Sequence, residues 1–242
     1  MTTFVTAFYS PGHEKVYRDV ETYFANFERL ANTGIPIWLY LDVAFRDQGE
    51  VLVKKFSNVW IPEYVTLSVL SGVLPLYRDH VKDTHEYFSM QLSKLRLVAR
   101  AAETCKTPAI AWIDFGLFHM ITDDEAAGGA LRDIAFRTVP DTIVTAGYWP
   151  LDEEWCWPGH PEWNYTVWEV THWVFLGSIL IGPRYLFAPA ADRQDALVQL
   201  HSPKLTWEVN YWMFMHEHFT TYPARHNDTI LTNLRNFLRN LK

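Results

Sequence analysis

Asp114 has the setting that most directly suggests chemistry. It closes the apolar run AIAWID, residues 109–114, and Gly116 follows two places later. An apolar strand that ends in one carboxylate delivers it to the crevice at the end of a sheet, where it can hold a divalent cation and, through the cation, a diphosphate. A glycine just beyond lets the backbone approach a bulky ligand closely. The same acid could instead cap the next segment or end the strand in solvent. Two other groups invite attention and give less. His216-Glu217-His218 lacks the three- or four-residue spacing that puts metal ligands on one helix face, and it reads as a helix end with histidines near the negative pole. Cys156, between Trp155 and Trp157 with His160 nearby, belongs to no recognisable nucleophile motif.

The elements that must position Asp114 follow from hydrophobic periodicity. FVTAFY, residues 4–9, reads as a buried strand broken by Ser10-Pro11-Gly12. Residues 14–32 carry apolar side chains at helical offsets and stop at Asn32-Thr33-Gly34. IPIWLYLD, residues 35–42, is a second strand, and residues 59–61 are a third. Residues 85–103 form the clearest helix, with Phe88, Gln91, Leu92, Leu95, Val98, Ala99 and Ala102 along one stripe and Thr84 as N-cap. Later, residues 123–129 read as an exposed turn, 151–163 as a Trp-rich loop and 173–181 as a strand stopped by Gly182-Pro183. Residues 192–200, 206–218 and 229–241 read as helices. Strands interleaved with helices predict an α/β layered domain with a mostly parallel sheet, whose ligands bind outside the carboxyl ends of the strands.

FVTAFY, then IPIWLYLD, then a helix bearing Gln91 and Lys94, then AWIDFGLFHM resembles the HtrL/YibB-like bacterial family, which is regarded as glycosyltransferase-like. The first half of the chain carries the resemblance well and the second half loosely. Its most specific piece is Trp112-Ile113-Asp114-Phe115-Gly116. The layout is also similar to GT-A glycosyltransferases, in which a strand-end DxD motif binds metal and nucleotide sugar. The resemblance implies a GT-A-like, Rossmann-like single domain over 1–242, with a nucleotide-binding half at 1–120 and an acceptor-side half with C-terminal helices at 121–242.

On that resemblance Asp114 takes the place of the first acid, and Gly116 stands where the second would be. His226 becomes a second metal ligand; read by itself it is a histidine in a polar loop. Thr6, Phe8 and Asp42 fall near the base and ribose. Lys94 faces the diphosphate, with His13 and Arg18 as further phosphate contacts, although a lysine on an amphipathic helix is usually just solvated. Gly177 and Ser178 line the donor sugar. Glu208 and Asp152 are the candidates for general base, with Glu153, Glu154 and Glu169 competing. The implied cofactors are Mn2+ or Mg2+ and a nucleotide sugar, UDP ahead of GDP, and the implied acceptor is a glycan or a lipid-linked glycan of polysaccharide biosynthesis. The alternative is a carbohydrate- or nucleotide-binding protein that keeps the fold without transfer.

Composition sets the outer limits. Apolar residues make up 49% and charged residues 20% of 242, which suits a folded chain with a sizeable core. The balance of 21 basic against 28 acidic residues gives −7, a poor match for nucleic acid. Cys105 and Cys156 are too few for a disulfide framework or a cysteine metal site. No secretory leader or bilayer-length apolar run is read, so a cytoplasmic setting is expected, with at most a weak peripheral membrane contact. The 11 Trp fit a core built from large side chains, and they also fit stacking on sugar rings.

Overall fold

The first apolar run forms β1 (Thr2–Phe8), buried along its whole length. It pairs in parallel with β2 (Ile37–Asp42) on one side and, through its first half, with β5 (Ala109–Ile113) on the other. β3 (Val59–Trp60) and β4 (Tyr64–Val65) both lie against β2. Beyond β5 come β7 (Ile179–Pro183), β6 (Ile143–Gly147) and β8 (Phe219–Pro223), giving the order β3-β2-β1-β5-β7-β6-β8. β7 runs antiparallel to both its neighbours, and the other pairings among the described residues are parallel. The structure is a computed structural model that describes residues 1–9, 19–137, 141–147, 160–161, 166–172, 174–223, 232 and 235.

Strand alternation divides the core into two layers. Phe4 and Phe8 point to the layer that holds α1 (Val20–Ala31), α2 (Arg46–Lys55) and α4 (Asp124–Phe136). Val5, Ala7 and Tyr9 point to the layer that holds α3 (His85–Thr104), α5 (Phe187–Leu200) and α6 (Glu208–Met213). The α/β class with a mostly parallel sheet between helical layers is therefore the one that the sequence predicts. Local signals act as read for α3, where Thr84 caps the helix by accepting from the Tyr87 amide. Such a cap stabilises a helix by about 1 kcal/mol. Gly34, at φ +78°, turns the chain after α1 in a conformation that suits glycine.

Three expectations change. Residues 123–129 are not an exposed turn but open α4: Asp123 accepts from the Ala126 amide at 3.0 Å, and Asp124 and Glu125 occupy the favourable first turn. Gly128 and Gly129 lie inside that helix at a propensity cost of about 1 kcal/mol each, which burial of Leu131 and Ile134 offsets. The strand read at 173–181 starts only at Ile179 and runs through Gly182-Pro183. The helix read at 206–218 is the short α6, followed by a single 3-10 turn at His216–His218. The expected final helix lies outside the described residues except for Thr232 and Arg235, as does most of the Trp-rich loop. Among the described residues, no helix is long and apolar enough to cross a membrane.

Candidate active site

A cleft of about 1160 Å³ opens beyond the carboxyl ends of β1 and β5, walled on one side by α3 and closed by the chain entering β7 and α6. On β5, Ile110 and Trp112 face the α3 layer, and Asp114, two residues on, keeps that direction. The Trp112 indole N–H accordingly donates to Asp114 Oδ1 at 2.7 Å. Because β7 is antiparallel, its start meets the end of β5: the Asp114 amide donates to the Ser178 carbonyl at 2.9 Å. Gly177 and Ser178 thereby come to lie beside Asp114.

Lys94 ties the site together. Its ammonium is buried and donates to Gly177 O at 2.9 Å, Glu208 Oε1 at 3.0 Å and Asp114 Oδ1 at 3.0 Å. An ammonium has three N–H donors, and each of Lys94's has an acceptor. Burial pulls the Lys94 pKa down, but the two carboxylates outweigh it and hold the ammonium above its ordinary value, so Lys94 stays charged. The Tyr87 hydroxyl on the same wall is pushed far above its ordinary value by burial and by Glu208, Asp83 and Asp114, so it stays protonated.

Glu208 is delivered by α6, which a buried asparagine anchors. Asn210 Nδ2 donates to Val167 O and Val170 O, each at 2.8 Å, and its Oδ1 accepts from the His172 amide at 2.7 Å. Gly177 is what allows the close approach: a Cβ there would collide with Glu208 Oε1 and stand 3.2 Å from Lys94 Nζ. Gly177→Ala should therefore displace Glu208 and destabilise the fold by about 1–3 kcal/mol. Ser178→Ala, which leaves the carbonyl that pairs with Asp114, should melt like the wild type. Thermal melts of the two variants check this.

The remaining expectations sort as follows. Phe8 lines the cleft, with one ring face stacked on Phe115 at 4.7 Å. Thr6 is wholly buried and paired with Leu39 on β2, so it belongs to the core and not to the cleft. Asp42 caps the short turn after β2 by accepting from the Ala44 amide at 2.9 Å, and it is not part of the cleft wall. Gly116 lines the cleft, and the space its missing Cβ leaves is met by the Tyr23 ring at 3.1 Å. Asp152, His226, His13 and Arg18 lie outside the described residues. Periodicity does not reveal the burial of Lys94, because a lysine on this stripe ordinarily reaches solvent; nor does it point to Asn210.

For a divalent cation the fit is partial. Asp114 Oδ1 is engaged by Trp112 and Lys94, while no hydrogen bond from a described residue reaches Oδ2. No group of three or more acids, histidines or cysteines able to hold a cation occurs among the described residues. The lining is also acidic: Asp79, Glu86, Asp114 and Glu208 face Lys82 and Lys94.

No protein-family model matches the sequence, nor does any curated protein. Among solved structures, the chain is similar to 4-diphosphocytidyl-2C-methyl-D-erythritol synthase from Anaerococcus prevotii, with 9% identity, a TM-score of 0.47, and 99% of this chain and 94% of that one covered. It is also similar to HddC from Yersinia pseudotuberculosis, with 11% identity, a TM-score of 0.44, and 98% and 100% covered. Likeness at this level describes layout and says nothing of activity.

Proposed function

We propose that this chain is a glycosyltransferase that binds a nucleoside-diphosphate sugar in the cleft and passes the sugar to a glycan or lipid-linked acceptor. The observation that carries the reading is the pair of carboxylates, Asp114 and Glu208, held on one buried ammonium at the strand ends. Their roles differ because their surroundings differ. Asp114 is 35% exposed and, among the described residues, receives no hydrogen bond at Oδ2, while Glu208 is 7% exposed. Glu208 serves as general base: it takes the acceptor hydroxyl's proton as the new C–O bond forms and the bond to the diphosphate breaks.

The diphosphate must find its positive charge away from Lys94, whose donors are all engaged. A divalent cation at Asp114 Oδ2, with His226 as the second ligand, would supply that charge in a cleft whose described lining is acidic. UDP is the first nucleotide to try, ahead of GDP. Calorimetric titration of UDP and GDP, with and without Mn2+, into wild type and Asp114→Ala tests the reading. Binding that requires Mn2+ and falls at least tenfold in the variant is the expected result. Binding indifferent to both metal and variant moves the donor site elsewhere. Absence of nucleotide binding leaves the non-catalytic reading of the fold.

A further inference from the structure

Buried polar side chains are nearly always hydrogen-bonded, so one that is not calls for a reason. Among the described residues, buried side-chain atoms without a hydrogen-bond partner include those of Thr2, Thr6, Trp38, Arg78 and Gln91. Of these residues Gln91 alone lines the cleft. It is 7% exposed, and among the described residues its Oε1 has no hydrogen-bond partner. α3 presents Tyr87, Met90, Gln91 and Lys94 to the cleft, a stripe at helical spacing that places Gln91 one turn before Lys94. The cleft's apolar lining includes Met90, Leu67 and Trp207. A polar group left unpaired in such a wall destabilises the empty protein, and ligand sites are where such a cost is retained.

We infer that Gln91 reads hydroxyl groups of the sugar carried by the donor, an inference that rests on the transferase reading above. A carboxamide offers an acceptor and two donors side by side. A pair of neighbouring sugar hydroxyls matches it: one O–H donates to Oε1, and the other oxygen accepts from Nε2. The apolar side chains of the cleft lining suit the C–H faces of the same ring. On this assignment the nucleoside and diphosphate make no use of the contact, which lies on α3 one turn before Lys94 and next to Met90.

The test compares UDP with UDP-glucose, UDP-galactose and UDP-N-acetylglucosamine, titrated with Mn2+ into wild type and Gln91→Met, alongside thermal melts of the ligand-free proteins. The wild type should bind at least one nucleotide sugar more tightly than UDP. Gln91→Met should lose about tenfold for that sugar, as expected for one or two neutral hydrogen bonds, keep its affinity for UDP, and melt at or above the wild-type temperature. Equal loss for UDP, no loss for the sugar, equal wild-type affinity for UDP and every sugar, or a lower melting temperature each overturns the assignment while UDP binding leaves the transferase reading standing. A wild type that binds none of the four overturns both.

Discussion

Lys94→Met is expected to lower the melting temperature by roughly 10 °C and to abolish turnover. Methionine fills much of the lysine's volume, so the loss comes from charge and not from a cavity. Two carboxylates would remain at the end of β5 and the start of α6 without their shared ammonium. Removing one partner of a buried ion pair costs about 3–5 kcal/mol, and the lower end applies here because Asp114 is 35% exposed and partly screened by water. In a chain of this length each kcal/mol corresponds to about 2–4 °C. Lys94→Met combined with Glu208→Leu separates the causes: if the stranded charge is responsible, the double variant recovers much of the lost stability. The pH dependence has a definite sign. The folded pKa of Lys94 is raised, so its contribution is fully present below the ordinary lysine value and is lost as pH rises through the folded value. The stability difference between wild type and Lys94→Met should therefore be constant through neutral pH and shrink only on the alkaline side of 10.5. A difference that disappears near neutrality would contradict the charged triad.

The sequence makes the central frame legible because its elements are long and strongly periodic. β1, β2, α3 and β5 follow from apolar runs and a 3.6-residue stripe, and Asp114 follows from the end of one run. Elements whose pattern is short or mixed escape it. β4 has only two residues, and α2 carries Arg46, Asp47, Lys54 and Lys55 around few buried positions. The paired glycines hide α4. The site divides in the same way. Strand parity aligns Trp112 with Asp114, a local fact that sequence can suggest. That Lys94 meets Gly177, across 83 positions, and Glu208, across 114, depends on β7 running antiparallel, which no local pattern states. The burial of Lys94 therefore changes its role: read along the helix it is a surface residue, and in three dimensions it is the hub on which two acids converge. Gln91 belongs to the same stripe, yet its unpaired oxygen becomes informative only once the cleft around it is known.

Glu208→Gln should reduce turnover of a bound nucleotide sugar by about 10²–10⁴-fold, the usual contribution of a positioned base, while leaving donor affinity within a few-fold of wild type. Glutamine keeps an oxygen that can accept from Lys94, so the triad's geometry survives with one charge fewer. Glu208 Oε1 is already engaged by the ammonium, and among the described residues no hydrogen bond reaches Oε2, the atom free to receive a proton. This separates Glu208 from Asp114, whose replacement is expected to act on donor binding. Measuring kcat and KM for the nucleotide sugar that binds, with Kd from calorimetry, reads the two apart. If Glu208→Gln instead weakens binding and leaves turnover of the bound donor unchanged, Glu208 positions Lys94 and Asp114, and the proton goes elsewhere. Asp152 and Glu169 would then be the acids to replace. A loss confined to kcat would place the proton on the carboxylate that Lys94 holds at the floor of the cleft.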